Sequence, residues 1–244
     1  MKIKGGVRHA LILLALTVAL AAWNVSGAQD GSGSIEGSVI FNVEVPQAER
    51  IKVTRNADVC GPHKVSQEFV VSSENHGLKN VVVMLGGAGG PSGDAAVTLD
   101  QQGCTYLPHV QVTTKGATLT VKNSDATFHN VHAYHVQSEF KKPTLFNVAQ
   151  PAGSEAAKQA FVLDKTGVVE FNCDVHEWMK AYVIVHDNTF FSVTDENGHY
   201  SIAGITPGEY TLKIWHEGLG EFEQPVTVSA GETLTLDFPI EGNE

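Results

Sequence analysis

Ile35-Glu-Gly-Ser-Val39-Ile-Phe41-Asn-Val43-Glu-Val45 puts Ile35, Gly37, Val39, Phe41, Val43 and Val45 on alternate positions. Glu36, Ser38 and Asn42 stand among the residues between them. A period of two is that of a strand with one buried face, because successive side chains point to opposite sides. Outward from this stretch the pattern stays β. Val81-Val-Val-Met84-Leu85 reads as a buried strand. Val110–Thr114, Ala117–Lys122 and Val168–Asn172 are further strands set apart by turn residues. Residues 154–159 fit a short helix or a polar loop. Many short strands at regular spacing imply an all-β chain built as a sandwich or barrel.

Composition agrees. The 244 residues are long enough for one large domain or two modest ones. With 42% apolar and 18% charged residues, the chain is not of the disordered class. Twenty-four Gly and three Met argue against a helical bundle, and three Cys are too few for a disulfide scaffold. No apolar run reaches the roughly 18 residues of a membrane span.

Residues 1–28 read as an address. Lys2, Lys4 and Arg8 precede an apolar run from Ala10 to Trp23, and Ser26, Gly27 and Ala28 follow it. This is the pattern of a secretory signal peptide, with cleavage expected after Ala28. Loss of those three basic residues leaves 13 basic against 27 acidic, net −14. Such a surface repels nucleic acid and suits an extracytoplasmic protein, or docking to a basic partner. The expected location is periplasmic or secreted, with no membrane span in the mature form.

Residues 29–34 (QDGSGS) read as a flexible linker. Residues 86–94 (GGAGGPSGD) lack the Gly-Lys-Ser/Thr of a phosphate loop and read as a connection between strands. Composition changes near residue 188. Thr194–Ile202 carries an Asn-Gly hairpin signal, and Thr206–Trp215 is a turn running into a strand. The acidic run at Asp195 is too short for a twelve-residue calcium loop. TDENGHYSI and ITPGEYTLKIWHEG in this tail resemble the carboxypeptidase regulatory-like (transthyretin-like) module. The early strands of that family are missing from the tail, and residues 35–45 are a candidate to supply one.

Two segments carry the chemistry. Cys173-Asp-Val-His176-Glu-Trp-Met179 sets a thiolate, an imidazole and a thioether within one short loop. Asn123-Ser-Asp-Ala-Thr-Phe-His129-Asn130-Val131-His132 offers another imidazole upstream. A soft thiolate with two imidazoles selects copper, and a weak axial thioether completes a trigonal electron-transfer site. Against this, Cys173 as an inert buried thiol, or in a disulfide with Cys60 or Cys104, leaves no site.

Together the two segments resemble the cupredoxin family over roughly residues 80–187. C-x-x-H-x-x-M has the ligand-loop spacing of amicyanin, and His-Asn-Val-His is similar to the segment bearing its first His ligand. Plastocyanin is similar with a longer His-to-Met interval. The resemblance implies a Greek-key β-sandwich holding one copper ion, Cu(I)/Cu(II), on His129, Cys173, His176 and Met179. It implies that Asn130 ties the two ligand loops together. It also implies an edge of His176 near the surface as the electron exit, with Trp178 in a docking patch for a redox partner. The loop departs from amicyanin in having Asp174, Val175, Glu177 and Trp178 where that family has prolines.

With Cys173 taken as a ligand, Cys60 and Cys104 are left to pair, in keeping with an oxidising compartment. Such a bridge closes a loop of about 45 residues, worth roughly 4 kcal/mol in the chain-entropy model. Both free, or both metal-binding, is the alternative. His132 and His135 follow His129 at three-residue steps, so all three cannot face one ion on a regular strand.

The expected organisation is a signal peptide (1–28), a linker (29–34), a cupredoxin-like domain with an N-terminal extension (35–187) and a smaller Ig-like/transthyretin-like β module (188–244). The expected function is single-electron transfer, not enzymatic turnover. Asn172 and Asp174 flank Cys173 where multicopper oxidases and copper nitrite reductases place a His next to the ligand Cys. Copper binding or delivery without redox turnover, or a structural β-sandwich with a degenerate metal site, are the alternatives.

Overall fold

The structure is a computed structural model that describes residues 31–45, 47–90, 95–153 and 159–241. The expected signal peptide, residues 29–30 of the expected linker, residues 91–94 of the 86–94 connection and residues 154–158 lie outside them. In chain order the elements begin with β1 (Gly33–Phe41), β2 (Arg50–Lys52), α1 (Ala57–Cys60), β3 (His63–Val65), β4 (Val82–Gly86) and β5 (Ala96–Gln101). Then come β6 (Tyr106–Leu107), β7 (Val110–Thr114), β8 (Ala117–Asn123), β9 (His129–Val136), β10 (Thr144–Gln150) and β11 (Gln159–Leu163). β12 (Gly167–Asn172), β13 (Lys180–His186), β14 (Phe191–Val193) and β15 (His199–Ile205) follow. The last are β16 (Gly208–His216), β17 (Gly220–Val228), β18 (Thr233–Thr235) and β19 (Phe238–Ile240). The chain is all-β, as the alternating and buried runs imply.

Four sheets make two sandwiches. In the first, a five-stranded sheet ordered β10-β9-β12-β13-β7 faces a four-stranded sheet ordered β11-β8-β5-β6. Leu99, Tyr106, Leu119, Val121, Val131, Phe171 and Val183 fill the space between them, and Cys173 and Met179 belong to the same core. In the second, β14-β4-β16-β17 faces β15-β1-β18, with β19 also paired to β1. Its core holds Ile35, Val39, Leu78, Val83, Leu85, Ile202, Ile205 and Leu212. A third apolar layer of Val82, Met84, Val110, Ile184 and Trp215 packs the sandwiches back to back.

That layering explains the continuous run Val81–Leu85. Val81, Val83 and Leu85 face the second core while Val82 and Met84 face the layer between the sandwiches. A strand buried on both faces has no polar alternation. β1 keeps its period of two, with Ile35, Val39 and Phe41 buried. Gly37 takes an apolar position because a Cβ there would lie 1.9 Å from Leu236 O. Only glycine lets the two backbones approach that closely.

The strand pairing does not respect the division expected at residue 188. β1 pairs with β15, β18 and β19, and β4 pairs with β14 and β16. The C-terminal strands lack enough partners of their own, so two strands from the N-terminal half complete the second sandwich. Gly33 and Ser34, expected in the linker, are the first residues of β1. The Asn-Gly signal at 197–198 makes a tight turn with Gly198 at φ 76°, and Asp195 Oδ1 accepts the backbone N–H of Asn197 and of His199. The expected hairpin does not form: the flanking strands find better-placed partners, β14 on β4 in one sheet and β15 on β1 in the other.

Candidate metal centre

His129 opens β9, Cys173 follows β12, and β9 and β12 are neighbours in one sheet. Asn172 pairs with His132 in that ladder, so the ends of the two strands deliver both residues to one rim of the first sandwich. His176 and Met179 lie on the loop from β12 to β13, where the Met179 backbone N–H donates to His176 O at 2.9 Å and closes a turn. All four side chains are buried, with exposures of 0% for His129 and His176, 2% for Cys173 and 1% for Met179. The upstream loop is shaped by Asn123, whose Nδ2 donates to Thr127 O and Gln150 O and whose Oδ1 accepts the Asp125 N–H.

The Nδ1 atoms of His129 and His176 face each other at 2.8 Å, and Cys173 Sγ lies 3.8 Å from His176 Nδ1. The donor atoms of His129, Cys173 and His176 all fall within 4.8 Å of one another. The outer nitrogens fix the tautomers. His129 Nε2 donates to Asp125 Oδ2 at 2.9 Å, and His176 Nε2 donates to Asn56 Oδ1 at 2.9 Å. Both acceptors lack a hydrogen to give, so each ring carries its proton on Nε2 and turns a bare Nδ1 lone pair inward. Two lone pairs at 2.8 Å cannot bond each other; a cation between them is what this arrangement accommodates. Bonds of about 2.0 Å to nitrogen and about 2.3 Å to sulfur span such a set.

Electrostatics point the same way. Burial pushes His176 down to about 4, helped by the nearby His129 and Arg55. Burial also lowers His129, against the opposing pull of Asp125. Both rings are therefore neutral at physiological pH, the form that ligates a metal.

Asn130 spans the two loops. Its Oδ1 accepts the Asp174 N–H at 2.7 Å and the Cys173 thiol at 3.3 Å, and its Nδ2 donates to Asp174 Oδ2 and Asn147 Oδ1. Tyr106 adds a second tie, its hydroxyl donating to Asn130 O and Asn172 O. Burial drives the Tyr106 hydroxyl well above its ordinary range, so it stays a donor. At Asp174 the upward pull of burial is outweighed by hydrogen bonds from Asn147 and His132, which hold the carboxyl below its usual value.

The edge of His176 is not at the surface. Asn56 covers it, and the imidazole is fully buried. The reason is the segment between β2 and β3, which lies over this rim and is joined to the sandwich by a Cys60–Cys104 disulfide. Cys173 is the free cysteine. Trp178 is half-buried, its ring centroid 4.9 Å from that of His176 and its Nε1–H donating to Cys104 O at 3.0 Å. It lines a cleft of about 300 Å³ together with Lys52, Lys64, His109, Lys180 and Glu217.

His132 and His135 point elsewhere. His132 Nδ1 donates to Asp174 Oδ1, and His135 Nε2 donates to Thr166 O. Among the described residues neither joins a donor cluster. Sequence reasoning did not single out Asp125 and Asn56. The spacing Asp125-x-x-x-His129 was a readable signal for the first; Asn56, 120 residues from His176, offers none.

Residues 179–241 match the carboxypeptidase regulatory-like domain family. The match starts at Met179, inside the candidate centre, and leaves out β1 and β4. Similar solved structures include a purple cupredoxin from Nitrosopumilus maritimus, 24% identical over 38% of this chain and 100% of that one, with a TM-score of 0.32. A reduced amicyanin variant is 18% identical over 43% of this chain and 98% of its own, with a TM-score of 0.32. A copper-containing nitrite reductase from Thermus scotoductus SA-01 is 18% identical, with a TM-score of 0.31. That likeness covers 38% of this chain and only 23% of the reductase. No curated protein matches by sequence.

Proposed function

We propose that the protein holds one copper ion on His129, Cys173 and His176, with Met179 as a weak axial donor, and that it carries single electrons. The observation that supports this most is the inward pair of bare Nδ1 atoms, 2.8 Å apart, with the Cys173 sulfur beside them. Copper on such a donor set takes up and gives up one electron, cycling between Cu(I) and Cu(II). The chain's own part is to keep the donors dry and fixed. Asp125 and Asn56 hold the rings in one tautomer, and Asn130 aims the Cys173 sulfur. Fixed donors leave little to rearrange when the charge changes by one.

The remaining features are read the same way. Residues 1–28 direct export, so the site works in the periplasm or outside the cell. The acidic surface steers a basic redox partner, and Trp178, beside His176, lies on the docking face. No neighbouring second copper belongs to the reading, since Asn172 and Asp174 flank Cys173. Copper holding or delivery without turnover is the second reading, favoured by the cover over His176.

Titration with Cu(II), followed by visible and electron paramagnetic resonance spectra, tests the proposal. One equivalent giving an intense thiolate-to-copper band with small copper hyperfine splitting supports it. A pale spectrum with ordinary square-planar parameters excludes Cys173 as a ligand and makes delivery or a structural role the better account.

A further inference from the structure

The cover over His176 is a small ribbon that belongs to neither sandwich. β2 and β3 pair only with each other. Most side chains from Arg50 to Val65 are exposed, with Val53 and Cys60 the buried exceptions. Few buried contacts mean low local stability. What fastens the ribbon to the first sandwich is the Cys60–Cys104 disulfide, the buried Val53 and a bond from Lys64 Nζ to Gly103 O. At its tip Asn56 stands at φ 53° and aims its side chain at His176. Asn tolerates this left-handed conformation better than most residues.

The other half of the disulfide reaches the other imidazole. The backbone N–H groups of Gly103 and Cys104 donate to the two oxygens of Asp125 at 2.6 and 2.7 Å. Asp125 in turn holds His129 Nε2. Cys104 Sγ lies within 4.8 Å of donor atoms on both Asp125 and His129. One covalent bond therefore joins the segment that orients His176 to the segment that orients His129.

We infer that the Cys60–Cys104 disulfide is a latch on the metal centre and that Asn56 is the positioning residue it holds in place. With the disulfide formed, both rings are fixed and the His176 edge is closed. A dithiol reductant opens the latch by giving two electrons and two protons: the S–S bond breaks, Cys60 and Cys104 become thiols, and the reductant leaves as its own disulfide. Among the described residues the ribbon then keeps the packing of Val53 and Cys60 and two side-chain bonds; it lifts, and opens the Cys173 and His176 donors to exchange. The inference deepens the copper reading by giving it a redox control, but the opening itself does not depend on metal.

Thiol alkylation of the metal-free full chain tests it. In the Cys60→Ser/Cys104→Ser variant Cys173 is the sole thiol, so its modification rate by iodoacetamide reports access directly. The rate is expected to rise about tenfold or more over wild type. Asn56→Ala, with the disulfide intact, is expected to raise it by a smaller factor. Leu85→Ala, in the core of the second sandwich, lowers overall stability without touching the ribbon and is expected to leave the rate near wild type. Transfer of Cu(I) to a bathocuproine-type chelator is expected to follow the same order. Overturning results are an Asn56→Ala rate equal to wild type, or a double-variant rate that Leu85→Ala matches at equal melting temperature. If alkylation behaves as expected while copper gives no thiolate band, the copper reading fails and the latch stands.

Discussion

Cys104 and His129 share one acceptor: Asp125 Oδ2 takes the Cys104 backbone N–H at 2.7 Å and the His129 Nε2–H at 2.9 Å. The second oxygen takes Gly103 N–H, so one buried carboxylate serves three donors. Outer partners of this kind orient a ligand ring and raise its basicity, and their loss weakens metal binding about 10–100-fold. Asp125→Ala is expected to weaken copper by that factor in a competition titration. Asp125→Asn, which keeps an acceptor oxygen, recovers part of the loss. Equal affinity in Asp125→Ala and wild type would mean that the carboxylate serves only the loop.

Met179 separates ligand from filler. Met and Leu are close in volume, and such swaps in a core cost less than about 1.5 kcal/mol. Met179→Leu is expected to keep both the fold and the intense thiolate band. Losing a thioether donor disfavours Cu(II), so the reduction potential rises. Cyclic voltammetry reads the shift; an unchanged potential removes Met179 from the ligand set. Cys173→Ser is expected to abolish the band outright.

The back-to-back packing of the sandwiches includes a buried His–Glu contact. His109 Nδ1 donates to Lys180 O while His109 Nε2 meets the Glu217 carboxylate, and both side chains are under a tenth exposed. Deleting one partner of a buried pair strands the other, a loss of about 3–5 kcal/mol. His109→Ala is expected to destabilise by that amount in denaturant unfolding. His109→Leu/Glu217→Leu is expected to recover most of it, because no lone charge remains. The double variant being as unstable as the single would show that packing, not charge, is at stake.

How much of this was legible depends on distance along the chain. Cys173, His176 and Met179 sit on one loop, so residue types and spacing carry the idea of a metal site. Ile35–Phe41 announces a strand because its period is local. Its partners β15, β18 and β19 lie more than 150 residues on and leave no trace in that pattern. The boundary at 188 follows a true change of composition, yet sheet completion needed β1 and β4 from the other side of it. Asn56 is one exposed-looking Asn in a polar stretch. Nothing local tells that its carboxamide meets an imidazole, and so the sequence by itself implies an open edge at His176.

His216 gives the fold a pH dependence away from the candidate metal centre. Burial lowers it to about 4, with His109 adding to the fall and Glu217 opposing it. Its ring packs on Phe69, and its Nδ1 accepts the Gly218 N–H. The unfolded chain titrates near 6.5, so between about 6.5 and 4 the unfolded state binds the extra proton. The stability from this group is complete above 6.5 and drains away as pH falls to about 4. At about 1.4 kcal/mol per unit, the loss is roughly 3 kcal/mol. Carboxyls held low, such as Glu170, have unfolded values near 4.5 and add to the loss at the acid end of this window. In unfolding titrations of the metal-free protein, His216→Phe is expected to reduce the slope between pH 6.5 and about 5 by its own share, leaving that of His129 and His176, which burial also lowers. An unchanged slope would assign that dependence to other groups.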